Sequence, residues 1–209
     1  MNVLIFGATG GTGRELVKQA ERLGHEVTAF VRDPTKLENT SENCRVYKGN
    51  VADRASVERA TASQDAAISA LGSGTLRRRS EELALGKHNI LVALEYSCVK
   101  RFIYLSADTV PEARRDLNPL RRLIISTLLR NTAADHELDE AVVRQSRLEW
   151  IIVRPPLLTN SPHTGRYRFG EGVEPKSLFP KISRADLADF MLKQLADDTF
   201  VRRAPTVMY

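Results

Sequence analysis

Only two cysteines, Cys44 and Cys98, and one tryptophan occur in this chain, and aromatic residues make up 6% of it. A disulfide scaffold is thereby excluded, and both thiols are expected to be buried and free. The four histidines are scattered singly, so no Cys or His pair has the spacing of a zinc site. No run of about 18 apolar residues occurs, which excludes a membrane-spanning helix. The start, MNVLIFGATGG, has no basic stretch ahead of its apolar residues. That argues against a signal peptide and for a cytoplasmic location. Repeats, low-complexity stretches and Pro/Gly/Ser linkers are missing as well, so a single domain over residues 1–209 is expected. Charge is close to balanced, with 31 Lys+Arg against 26 Asp+Glu and a net +5. Such an excess suits nucleic acid, an anionic membrane face or an anionic small ligand, and composition does not separate these.

What is present is alternation. Val3–Phe6, Glu26–Val31, Arg45–Tyr47, Ala66–Leu71, Arg101–Leu105 and Trp150–Val153 read as short buried strands. Helical patterns over 13–23, 55–62, 81–96 and 133–145 separate them, and a last helix is expected over 185–195. Strand–helix alternation with short connections predicts a Rossmann-type α/β fold, a doubly wound parallel sheet with helices on both faces. Residues 155–181, rich in Gly, Pro and Ser, are expected to form a loop-rich cap on the substrate side, with a hairpin around Tyr167. Pro205–Met208 reads as an edge strand. Leu123–Leu129, flanked by arginines, reads as an amphipathic or oligomer-facing helix, with ordinary packing favoured over a membrane-surface role.

The first strand runs into Gly7-Ala8-Thr9-Gly10-Gly11-Thr12-Gly13. Glycines at 7, 10 and 13 permit a tight turn, a close approach of backbone N–H groups to a diphosphate, and close helix–strand packing. The helix N-terminus adds positive partial charge. Gly7, Thr9, Gly10, Gly11, Thr12 and Gly13 are therefore candidate cofactor-binding residues. No Gly-Lys-Ser/Thr follows, so the turn is not a nucleoside-triphosphate loop. The second strand ends in Arg32-Asp33-Pro34-Thr35-Lys36. A guanidinium there clamps a 2′-phosphate, and Lys36 adds a second cation, which points to NADP(H). Asp33 keeps an NAD reading open. Asn50 and Val51, after the third strand, and Leu71 and Gly72, after the fourth, border the same cofactor.

These segments, with YLSA (Tyr104–Ala107), RPP (Arg154–Pro156), TGRY (Thr164–Tyr167) and ISRADLADFML (Ile182–Leu192), resemble the atypical short-chain dehydrogenase/reductases. The resemblance is to the group with NmrA-like and NAD(P)H-binding proteins, nearest its flavin- and biliverdin-reducing branch, and runs over nearly the whole chain. It implies that Arg32 and Lys36 hold the 2′-phosphate and that Ser106 lies near the nicotinamide. Pro155, Pro156 and Leu157 would pass beside that ring. It implies hydride transfer from NADPH to a small-molecule acceptor, a flavin or linear tetrapyrrole, in a monomer or homodimer without a nucleic-acid partner. There are departures. Leu157 stands where that branch has a histidine, Asn50 replaces an aspartate, and the stretch between Ser106 and Pro155 is longer.

Most short-chain dehydrogenases use Tyr-x-x-x-Lys, in which the lysine lowers the tyrosine pKa. Tyr96-Ser97-Cys98-Val99-Lys100 has that spacing, but it precedes the fifth strand and is expected at the wrong end of that strand. Ser106, at the strand's other end, is expected to donate a hydrogen bond to the carboxamide or the substrate. Without a positioned phenol, conjugated acceptors such as flavins are favoured, since they draw their second proton from water. Arg77 and Arg78, in a basic loop, and His163 and Arg166, in the late loop region, are candidate substrate contacts. The rival reading is an NmrA-like redox sensor or assembly factor that holds NADP(H) without turnover. A nucleotide-sugar epimerase or dehydratase is a third, and would need the missing Tyr/Lys pair.

Overall fold

The computed structural model describes residues 1–37, 41–72, 81–110, 112 and 130–209. Apolar β-branched runs and helical stripes alternate as expected. β1 (Asn2–Phe6), α1 (Gly11–Arg22), β2 (Glu26–Val31), a 3-10 turn (Pro34–Lys36), β3 (Cys44–Lys48), α2 (Arg54–Thr61) and β4 (Ala66–Ser69) form the first half. α3 (Glu81–Glu95), β5 (Arg101–Leu105), α4 (Arg130–Gln145) and β6 (Glu149–Val153) continue it. β7 (Leu157–Thr159), β8 (Arg168–Gly170), β9 (Lys181–Ser183), α5 (Arg184–Lys193) and β10 (Thr206–Met208) complete the chain.

The first six strands make one parallel sheet in the order β3-β2-β1-β4-β5-β6. Side chains alternate between its faces. Val3, Ile5, Val27, Ala29, Ile68, Ile103 and Ile151 pack under α1 and α5. Leu4, Phe6, Phe30, Ala67, Phe102, Trp150 and Ile152 pack under α2, α3 and α4. This is the Rossmann-like arrangement expected from the alternation. Strand order reverses between β1 and β4, and such a reversal opens a crevice beyond the strand ends.

Several expectations need correction. Cys98 is exposed and Cys44 only half-buried, because Cys44 opens the edge strand β3 and Cys98 lies in the turn after α3. No hairpin forms around Tyr167. β8 pairs antiparallel with β10 instead, so the expected edge strand closes on a partner far along the chain. Inside the expected loop region, β7 and β9 pair in parallel. Arg77, Arg78 and the Leu123–Leu129 stretch lie outside the described residues.

Candidate functional site

The glycine turn sits at the reversal point. Gly7 has φ +79°, and a Cβ there would lie 2.7 Å from the Ala70 carbonyl oxygen just beyond β4. A Cβ at Gly13 would overlap the Gly7 carbonyl. Glycine at both positions lets β1, β4 and α1 converge. The Gly10 amide donates to the Gly7 carbonyl at 3.0 Å and closes the turn. Gly10 is the N-cap of α1, no side chain caps the helix, and its first turn holds no acidic residue. The first-turn N–H groups therefore lack intrahelical acceptors, and the helix start at Gly10 lines the crevice, an arrangement suited to an anion.

A cleft of about 300 Å³ runs from this turn, lined by Gly7, Thr9 and Gly10, Val31 and Arg32, Asn50 and Val51, and Leu71 and Gly72. Its outer wall is anchored from α3. A Cβ at Gly86 would overlap Val51, so the helix presses on the loop after β3. Asn89 donates to the carbonyls of Val51 at 3.0 Å and Ala52 at 3.1 Å. The Asn50 amide nitrogen donates to Glu82 at 3.0 Å, and its carbonyl accepts from the Ala52 N–H. The Asn50 side chain is thus a strut of the wall.

At the tip of β2, Arg32 is exposed and makes no hydrogen bond or ion pair with any described residue. Asp33 is turned away. It accepts from the hydroxyl of Thr35 at 2.7 Å and from its amide at 3.1 Å, and Lys36 stands 3.9 Å off. The Thr35 hydroxyl and amide hydrogen bonds hold the Asp33 carboxyl below its ordinary value. Lys36 is exposed, and its carbonyl accepts from the Arg14 guanidinium at 2.8 Å. Arg14 thereby joins Arg32 and Lys36 at this corner.

At the other end, β5 and β6 are zipped beyond their strand ends. The Ser106 amide donates to Val153 at 2.8 Å, and the Asp108 amide to Pro155 at 3.0 Å. Ser106 is buried, and its hydroxyl donates to Glu140 Oε1 at 2.6 Å. Glu140 is itself buried against Arg154, whose Nε donates to the same oxygen at 3.0 Å and whose Nη2 bridges to Glu112. A carboxylate so held is a fixed acceptor for the Ser106 hydroxyl. The Ser106 hydroxyl hydrogen, expected from sequence to be offered to a ligand, is directed at Glu140. α4, where a catalytic phenol would be needed, carries no tyrosine. Tyr96 is 83% exposed, between α3 and the amino end of β5, at the end of the strands opposite the glycine turn.

A family described as NAD(P)H-binding matches residues 7–198 of this sequence. The chain belongs to that NAD(P)H-binding family. The residues just described fit such a nucleotide, since the uncapped helix end and the missing Cβ atoms leave room and charge for a diphosphate. Among curated relatives of this NAD(P)H-binding protein, the photosystem II assembly factor Ycf39 of Synechocystis is 32% identical over 113 residues. That match covers 51% of this chain and 33% of Ycf39. The chain thus spans a third of that relative's length. Among solved structures, the oxidoreductase ylbE of Lactococcus lactis aligns over 99% of this chain and 90% of its own, with TM-score 0.80 and 19% identity. The anaerobilin reductase ChuY of Escherichia coli O157:H7 aligns over 99% and 96%, with TM-score 0.79 and 19% identity. At such identities the likeness is one of fold.

Of the residues singled out from sequence, Gly7, Thr9, Gly10, Arg32, Asn50, Val51, Leu71 and Gly72 share the cleft wall, and Gly11, Thr12, Gly13 and Lys36 are not in its lining. Ser106 and Pro155 follow the ends of β5 and β6, where Ser106 bonds Val153 and Asp108 bonds Pro155; Pro156 is buried, Leu157 is 64% exposed at the start of β7, and none of the four is in the cleft lining. His163 lies apart from the cleft. It lines a separate depression with the outer face of α1, 3.7 Å from both Asp186 and Asp189. Arg166 is exposed in the adjoining loop. Sequence reasoning missed Arg14, Glu140 and Arg184. The Arg184 side chain lies over Gly11, where a Cβ would come within 2.7 Å of its Nε. The second glycine of the Gly10-Gly11 pair was the available signal, because the phosphate turn alone does not require it.

Proposed function

We propose that the protein is an NADPH-dependent reductase that passes hydride to a flavin or a related conjugated acceptor such as a linear tetrapyrrole. The observation that carries this reading is the lock on Ser106. Its hydroxyl is held by the Glu140–Arg154 pair, and the helix beside it has no tyrosine. A simple carbonyl or alcohol needs a positioned acid or base, whereas a flavin takes its remaining proton from water. A nicotinamide bound at the ends of β5 and β6 would supply the hydride. The chain's residues would supply orientation: Ser106 Oγ would accept from the carboxamide, and Pro155 and Pro156 would offer an apolar wall to the ring. Juxtaposing two planar rings then accounts for most of the acceleration. Arg32, Lys36 and Arg14 together favour the 2′-phosphate, and the turned-back Asp33 disfavours the unphosphorylated ribose. The anaerobilin reductase activity named for ChuY is consistent with a tetrapyrrole-type acceptor.

A second reading is an assembly factor or redox sensor without turnover, and the 32% identity to Ycf39 favours it. Mixing purified protein with NADPH and FMN, or a linear tetrapyrrole, and following absorbance at 340 nm separates the two. The reductase reading expects saturable oxidation of NADPH well above the protein-free rate. Tight NADPH binding with no oxidation by either acceptor class establishes the second.

A further inference from the structure

A second cavity, of about 340 Å³, lies between α3 and α4 over β4 and β5, and none of its lining residues lines the nucleotide cleft. Its walls are apolar, from Ile90 and Leu91 of α3, Phe102 of β5, and Leu138, Val142 and Val143 of α4. Leu138 and Val142 are 51% and 44% exposed, so they form the mouth. One end is polar. Lys87 bonds the Asp139 carboxylate, which also accepts from the Tyr104 hydroxyl at 3.1 Å. The two charged side chains are only 13% and 12% exposed. Beside Tyr104 in strand register stands Ser69, 1% exposed, which lines the cavity and whose Oγ has no hydrogen-bond partner among the described residues.

Buried hydroxyls are normally paired, and leaving one unpaired costs about 1–3 kcal/mol. Ser69 Oγ is thus a built-in demand for one polar atom at the end of an apolar cavity. The Lys87 and Asp139 charges are spent on each other, and His88, the other basic side chain of the lining, is exposed, so the buried end of the cavity carries no net charge. We infer that this cavity is a second ligand site, for a neutral molecule of one or two rings that carries a single hydroxyl or carbonyl oxygen. The rings fill the space between α3 and α4, and the oxygen hydrogen-bonds Ser69 Oγ. The cavity volume falls at the lower end of small-molecule sites. The inference rests on the cavity alone and stands whether or not the protein turns over NADPH.

The test is a titration of the full chain with p-cresol and with toluene, followed by NMR and by calorimetry, with and without saturating NADP+. p-Cresol should bind saturably and more tightly than toluene. In Ser69→Ala its affinity should fall roughly tenfold, as loss of one buried hydrogen bond implies, while toluene is unaffected. Val142→Trp, at the exposed mouth, should remove binding of both without lowering the melting temperature. Absence of saturable p-cresol binding to the wild-type chain would overturn the inference. So would an unchanged p-cresol affinity in Ser69→Ala, undiminished binding in Val142→Trp, or displacement of p-cresol by NADP+, which would move the ring into the nucleotide cleft.

Discussion

Among the described residues Arg32 has no partner at the tip of β2, while its neighbour Asp33 is engaged by Thr35 and Lys36. A charged hydrogen-bond donor without a partner is poised for a ligand, and a phosphate would give it one. Arg32→Ala should therefore weaken NADPH binding roughly ten- to hundredfold, the equivalent of a hydrogen bond to a charged group, and leave NADH nearly unchanged. Calorimetric titration with both nucleotides checks this, and equal weakening of the two would remove Arg32 from the 2′-phosphate. Cys44 shows the opposite case. Burial, with Glu21 nearby, pushes its thiol up to about 11, so it stays protonated and unreactive.

Between elements, the pair Glu140–Arg154 ties α4 to the end of β6 and holds Ser106 at the end of β5. Both side chains are almost fully buried, so removing one charge strands the other. Glu140→Ala should cost about 3 kcal/mol in a denaturant titration, at the low end for a broken buried pair because Glu112 still reaches Arg154. A loss under 1 kcal/mol would mean that Arg154 is satisfied without Glu140. Tyr96 lies at the opposite end of the strands. Tyr96→Phe should leave reductase turnover unchanged, and a hundredfold loss would show that its distance from the cleft had been misread.

Across the whole molecule, the late segment is drawn together by one carboxylate. Asp186 of α5 is fully buried and accepts from the amides of Thr164 and Gly165, the Thr164 hydroxyl and the hydroxyl of the C-terminal Tyr209. Burial alone would raise its pKa, but these hydrogen bonds outweigh burial and lower it to about 2. The unfolded chain then binds the proton more tightly than the folded one. Asp186 accordingly contributes about 2 kcal/mol that is fully present above pH 4 and is lost as pH falls through about 2. His136 shifts the same way, since burial and then Lys87 lower its pKa below 6.5. Its neutral form belongs to the fold, and stability declines as pH drops below 6.5. Thermal melts from pH 7 to pH 2 should show both declines, and Asp186→Asn should erase the lower one while reducing stability at neutral pH.

What the sequence alone determined was whatever neighbouring residues enforce. A βα turn with Gly7, Gly10 and Gly13 admits one kind of backbone path, and strand and helix periods in the first 153 residues are long enough to be read. β2 and β5 fall at the expected boundaries for that reason. Three-residue strands such as β7 and β9 have no period to read, and β8 takes its partner from the far end of the chain. Only the tertiary structure decided that the Ser106 hydroxyl donates its hydrogen bond to Glu140, that Arg184 covers Gly11, and that Ser69 Oγ finds no partner among the described residues. Each depends on a partner brought in from a distant element, and the direction of a hydrogen bond or the emptiness of a cavity follows from packing rather than from local residue pattern.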